Sequence, residues 1–336
     1  MTFTRAILFL AMASLSGLAF RTAPAGSPDQ YFRVGNPTDV HASGVKAGFA
    51  LLGGGKDLDE AFRWLCERSH GGDFLILRAT GTDAYNPYVN GLCRENSVAT
   101  LIVPNREAAS DPFVAQTIRN VEAIFIAGGD QANYVNFWTD TPVQQALNDA
   151  IARGVPIGGT SAGLAVLGEY VYSAQGDKPD GPDLQSKAAL DNPFDPQVTI
   201  VHDFLRISAL RGVITDTHFS ARDRLGRLLV FMARILADGD AKTIHGVGID
   251  PQTAVLLDAD GTGRVTGFAA AYLFTAVGKP TTCVPGKPLS FGPVSVTKLK
   301  AGAMVDLKQW RARETSYTVS VEAGKIHSTQ KDGAIY

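Results

Sequence analysis

Val155-Pro156-Ile157-Gly158-Gly159-Thr160-Ser161-Ala162-Gly163-Leu164-Ala165-Val166-Leu167 passes from an apolar run, through small residues around one serine, into helix formers. A short strand, a turn too tight for a Cβ and then a helix make a nucleophile elbow, with Ser161 exposed at its tip as an activated hydroxyl. The competing reading is a glycine-rich turn with an incidental serine. Six residues do not separate the two, so the rest of the chain has to.

Upstream, apolar runs alternate with helical periodicities. Phe49-Ala50-Leu51-Leu52 runs into Gly53-Gly54-Gly55, and Asp57 then stands where it would cap a helix whose Leu58, Ala61, Phe62 and Leu65 recur at helical spacing. Phe74 to Leu77 and Leu101 to Val103 read as further strands, and Ser110 or Asp111 before Pro112 opens a helix. Ala123 to Ile126 is a buried strand closing on Gly128-Gly129-Asp130. The helix from Thr141-Pro142 stops at Gly154, just before the elbow strand. This order predicts an α/β fold with a mostly parallel central sheet and helices on both faces, whose reactive groups gather at the carboxyl ends of the strands.

Downstream, residues 174 to 197 read as a long polar loop bordering the site. A strand over Val198 to Val201, another over Val213 to Thr215 and a helix from about Arg222 to Ala237 follow. From about Gly246 onward the chain is β-rich, with Gly/Pro turns. One domain over 27–336 suffices.

The whole chain has 336 residues, 45% hydrophobic and 19% charged, with a formal net charge of −2. That balance excludes a disordered chain and gives no reason to expect nucleic acid as a partner. Residues 1–26 read as a signal peptide and linker: Arg5, then an uncharged run from Ala6 to Phe20 that is too short to span a bilayer. An exported protein without stable membrane insertion is expected. Cys66, Cys93 and Cys283 allow at most one disulfide and have no zinc-site spacing. Neither a phosphate loop nor an H-E-x-x-H motif is present, so no metal and no cofactor is expected. Oligomeric state, a homodimer included, is left open.

An attacking serine needs a base and donors for the oxyanion. His218, in Asp216-Thr217-His218-Phe219, follows a strand end and is the candidate base, with His202 and His245 as positional rivals. The N–H of Ala162 is the natural first oxyanion donor, and Gly129 the second, since a backbone without side chains can approach a ligand closely.

Gly128-Gly129-Asp130-Gln131, Gly159-Thr160-Ser161-Ala162-Gly163, the run from Asp216 to Arg227 and Gly246-Val247-Gly248-Ile249-Asp250 occur in that order. Together they resemble the cyanophycinases, of the serine peptidase family that also contains the aspartyl dipeptidase peptidase E, over most of the chain from about Phe49. The resemblance implies a class I glutamine amidotransferase-like, flavodoxin-like fold with serine in place of cysteine. It also implies hydrolysis of cyanophycin, a polyaspartate bearing arginine on its β-carboxyls, to β-Asp-Arg dipeptides. By the same resemblance Ser161 is nucleophile and His218 base, while Gln131, Asp216, Thr217, Arg222, Arg224 and Arg227 stand at substrate-holding positions. Forked arginine donors suit carboxylates of an aspartyl backbone, and Asp130 or Asp216 suits a substrate guanidinium. For the arginines a solvated helix face is the plain alternative.

The sequence departs from the family pattern twice. Where a glutamate follows the Gly-Ile-Asp run and orients the histidine, this chain has Pro251 and then Gln252. Asp250 is the candidate third member of the triad, although it needs a bulge or turn to face the histidine. Thr217 stands where the family usually has glutamine. A peptidase E-like dipeptidase and a catalytically impaired binding protein of the same fold are therefore alternatives.

Overall fold

The computed structural model describes residues 29–178 and 181–336, so the expected signal segment lies outside the described residues. The strands in chain order are β1 (Gln30–Gly35), β2 (Gly48–Leu52), β3 (Asp73–Arg78), β4 (Ser97–Ile102), β5 (Ala123–Ile126), β6 (Ile157–Thr160), β7 (Tyr170–Tyr172), β8 (Ile200–His202) and β9 (Val213–Asp216). The strand-rich remainder supplies β10 (Thr243–Ile249), β11 (Thr253–Asp258), β12 (Thr262–Gly267), β13 (Ala270–Val277), β14 (Phe291–Lys300), β15 (Met304–Asp306), β16 (Arg311–Ala312), β17 (Ser316–Glu322) and β18 (Lys325–Ser328). The α-helices are α1 (Asp59–Ser69), α2 (Tyr85–Leu92), α3 (Pro112–Asn120), α4 (Gln131–Trp138), α5 (Pro142–Arg153), α6 (Ala162–Ala165), α7 (Ser186–Asp191) and α8 (Leu225–Asp238).

Two sheets form, in the orders β1-β4-β3-β5-β6-β2-β11-β12-β15-β16 and β18-β17-β14-β13-β10-β9-β7-β8. The run β4-β3-β5-β6-β2 is parallel throughout. Its flanks, β1 against β4 and β11 against β2, are antiparallel, as is most of the second sheet apart from β7, β9 and β10. The expectation of a mostly parallel sheet therefore holds for the inner five strands and not for the whole. The β-rich part past residue 246 splits its strands between both sheets and lengthens them with antiparallel pairs.

Alternation along the strands explains the layers. Phe74, Ile76, Ala50, Leu52 and Phe125 point to one face, where Phe62 and Leu65 of α1 and Val89 of α2 pack on them. Leu75, Leu77, Leu51, Ile124 and Ile126 point to the other, against Val114 and Ile118 of α3 and Leu147 of α5. Val213, Val247, Ile249 and Leu273 of the second sheet join this same core, while Tyr272, Phe274 and α8 pack on that sheet's far side.

Several local expectations change under tertiary contact. Asp57 does not cap α1, whose N-cap is Leu58; its carboxylate instead accepts from Thr160 Oγ1 at 2.6 Å and Tyr85 Oη at 2.5 Å. Asp111 caps α3 through Phe113 N–H, and α5 ends on left-handed Gly154. The loop after Ala174 contains the short helix α7, and the strand expected at 198–201 is Ile200–His202. The last long helix starts at Leu225 rather than Arg222, so Arg222 and Arg224 belong to the turn before it and not to a helix face.

Candidate active site

The elbow is built as its sequence dictates. β6 delivers Ser161 at φ 52°, ψ −117°, and α6 begins at the next residue. A non-glycine residue in such a conformation costs of order 1–3 kcal/mol and persists only where the surroundings hold it. Here the flanking glycines permit that packing: a Cβ on Gly159 would overlap the Gly163 carbonyl, and one on Gly163 the Ile126 carbonyl.

Ser161 and His218 come from different sheets and meet because both are tied to the end of β2. Ser161 N–H donates to Leu52 O at 3.2 Å and His218 N–H to Gly53 O at 2.8 Å. Thr215 Oγ1 donates to Leu164 O at 3.0 Å, holding β9 to the elbow helix. The result is a 2.9 Å contact between Ser161 Oγ and His218 Nε2, in hydrogen-bonding range for proton transfer. The imidazole rests on Gly54, where any Cβ would overlap Nε2. Glycine is thus required at 54 both for this contact and for its φ of +92°.

Burial lowers the proton affinity of His218, and the Arg222 and Arg224 guanidinium groups lower it further against Asp216 and Asp183, giving a pKa of about 4. The ring is therefore neutral, and able to accept a proton, over most of the pH range.

Gly128 lies beside Ser161, since a Cβ there would stand 3.5 Å from Ser161 Cβ, and the next residue, Gly129, is exposed. Ala162 occupies the first turn of α6, where backbone N–H groups have no intrahelical acceptor. Gln131 is the first residue of α4, half-buried, just past the same glycine turn.

The remaining candidates divide by what they already hold. Arg227 is buried and donates through Nε and Nη2 to Asp216 at 2.8 and 2.6 Å and through Nη1 to Leu184 O at 3.4 Å. All three of its nitrogens are engaged inside the protein, on Asp216 and the Leu184 carbonyl. Thr217 is buried, and both its carbonyl and its hydroxyl oxygen accept from Arg224 Nη1. Arg222 and Arg224 share the Asp183 carboxylate at 3.2 and 2.5 Å, and Arg222 remains half-exposed.

Asp250 is corrected by the geometry. Its Oδ1 accepts from Ser220 N–H at 2.7 Å and its Oδ2 from Ala270 N–H at 3.3 Å, with the side chain buried. It holds backbone rather than the imidazole. Among the described residues no carboxylate hydrogen-bonds His218, and Pro251 lies against Gly55. The rival histidines are engaged elsewhere: His202 with Asp203, and His245 with Thr275 and stacked on Trp310. Asp183 and Gly54 were missed as site residues. The glycine triplet at a strand end was a readable signal for Gly54, whereas nothing in the sequence tied Asp183, some forty residues away, to two arginines.

A half-buried elbow serine against a neutral imidazole, at the strand ends of an α/β core, defines a serine-type hydrolase. The chain belongs to peptidase family S51, whose model matches residues 82–216. It is 31% identical over 236 residues to the cyanophycinases of Synechococcus elongatus and of Thermosynechococcus vestitus, covering 67% of this chain and 67% of each relative. It is 28% identical over 171 residues to that of Trichormus variabilis, covering 51% of this chain and 50% of the relative. A crystal structure of a peptidase from an acI-B1 actinobacterium superposes with a TM-score of 0.50 at 18% identity, covering 79% of this chain and 98% of that one, which shows the shared fold.

Proposed function

We propose that this protein is an exported serine exopeptidase that hydrolyses cyanophycin, or a closely related β-linked aspartyl–arginine polymer, to β-Asp-Arg dipeptides. The observation that carries the reading is the 2.9 Å contact of Ser161 Oγ with His218 Nε2 on the strained elbow. The names of the curated relatives support the substrate class. The fold is taken as class I glutamine amidotransferase-like.

In this mechanism His218 Nε2 accepts the Ser161 proton as Oγ bonds to the scissile carbonyl carbon. The oxyanion is received by the N–H groups of Ala162 and Gly129. The imidazolium then gives its proton to the departing amine, leaving an acyl-enzyme, and a water deprotonated by His218 releases the product acid. Gln131 and Arg222 flank the approach in this reading, the half-exposed Arg222 guanidinium favouring an aspartyl carboxylate over a neutral side chain, while Arg224, buried with its terminal nitrogens on Thr217 and Asp183, holds the turn. Arg227 and Asp216 support that turn from behind.

Export is supported by the Cys66–Cys93 disulfide, a bond typical of oxidising compartments, alongside the apolar N-terminal run. Among the described residues no helix is long and apolar enough to cross a membrane.

The test is incubation of wild type and Ser161→Ala with insoluble cyanophycin and, separately, with aspartyl dipeptides. Release of β-Asp-Arg by wild type and not by the variant is expected. Turnover of dipeptides alone would replace the polymer with a peptidase E-like substrate. Fractionation of the producing cells tests export.

A further inference from the structure

With no carboxylate hydrogen-bonded to the imidazole among the described residues, the orientation of His218 depends on its backbone. His218 itself sits at φ 46°, a left-handed conformation that a β-carbon residue adopts only under constraint. The constraint comes from the turn 217–225, which is fastened at several points. Asp250 takes the Ser220 N–H, Ser186 Oγ donates to the Asp223 carbonyl, and Arg224 closes the turn on Thr217.

Tyr336, beyond β18, adds a fastening that no motif foretells. Its hydroxyl accepts from Leu225 N–H at 2.9 Å and donates to Asp223 Oδ1 at 3.0 Å, bridging the end of the turn and the start of α8. Its ring stands edge-on to Phe219 and to Tyr272, with centroids 5.7 and 5.9 Å away. Phe219 directly follows His218, is fully buried, and fits only because Gly248 lacks a side chain. A shift of Phe219 therefore moves the imidazole, and Tyr336 is one of three aromatic rings, with Tyr272 and Phe274 of β13, that pack on Phe219.

We propose that Tyr336 is a positioning residue for the hydrolytic reaction: together with Asp250 it locks the turn carrying His218, doing through the backbone what an orienting carboxylate does on the ring. This rests on the reading of Ser161 and His218 as the catalytic pair.

The test follows the rate of Ser161 labelling by a fluorophosphonate, which reports activation of the serine whatever the natural substrate, in wild type, Tyr336→Ala, Tyr336→Phe and Ser161→Ala. Displacement of reacting groups by about 1 Å costs on the order of 100-fold. Tyr336→Ala is expected to lose at least about tenfold of that, and Tyr336→Phe, which keeps the ring and loses both hydrogen bonds, to fall between it and wild type. The pH dependence of labelling supplies a readout that mere destabilisation does not move. The charged neighbours Arg222, Arg224, Asp216 and Asp183 are unchanged in the variant, so water admitted to the ring shifts the acid limb upward in Tyr336→Ala. A folded Tyr336→Ala that labels within about twofold of wild type, with an unmoved limb, overturns the proposal. Should that variant not fold, wild-type labelling by Tyr336→Phe overturns it equally. Wild type that fails to label, or Ser161→Ala that labels like wild type, removes the catalytic pair itself and this inference with it.

Discussion

In the proposed mechanism His218 is the base, its proton affinity lowered by burial first and then by Arg222 and Arg224. A protonated imidazole cannot take the serine proton, so the acid limb of kcat/KM is set by this group in the free enzyme. The limb is expected near pH 4, well below the ordinary imidazole value of 6.5, and a pH–rate profile checks it. Arg222→Gln removes one positive neighbour and should move the limb upward. The change will be clearest at low salt, because Arg222 is half-exposed and screened. The same linkage acts on stability. The folded value lies below the unfolded one, so this histidine's contribution is full above pH 6.5 and is lost as pH falls toward 4. Gly54→Ala places a Cβ on the ring at a backbone angle that disfavours one, and activity should fall about 100-fold by displacement of the imidazole. Steady-state kinetics with an intact melting temperature would assign that loss to geometry.

At the scale of elements, the Cys66–Cys93 bond ties α1 to the chain just past α2, on the face of the first sheet opposite α3 and α5. It closes a separation of 27 residues, for which loop-closure entropy gives about 3.5 kcal/mol of stabilisation. The double variant Cys66→Ala/Cys93→Ala is expected to lose about that much in chemical denaturation while keeping its activity per folded molecule, since the bond is remote from Ser161. Element boundaries were legible where a local signal sufficed. Pro112 after Asp111, and Gly154 after α5, mark helix ends that need no distant partner. They were illegible where a distant partner intervened. Asp57 leaves its capping position for Thr160 and Tyr85, and the α8 boundary moves because Arg224 turns back to Thr217 and Asp183.

Across the whole molecule, the active site is a joint between two sheets. The end of β2 is the hinge of that joint: its last residue, Leu52, accepts from Ser161 N–H, and Gly53 just past it accepts from His218 N–H. Behind it the buried Asp216–Arg227 pair links β9, α8 and the loop that precedes α7. Breaking such a pair by removing one partner leaves a buried charge uncompensated and costs about 3–5 kcal/mol. Arg227→Ala should therefore lower the melting temperature as well as activity, whereas Arg222→Gln should leave the melting temperature nearly unchanged.

The elbow and the inner parallel strands were legible in the sequence because strand periodicity, glycine turns and helix starts are local properties of the chain, whereas His218 stood out from His202 and His245 through the family resemblance of its motif. How the antiparallel strands past residue 246 divide between two sheets, and what stands behind the histidine, depend on contacts between distant parts of the chain. Asp250 accepts two backbone N–H groups instead of the His218 ring. Its two donors, Ser220 N–H and Ala270 N–H, lie 30 and 20 residues away along the chain, and chain spacing does not encode which of them its carboxylate meets.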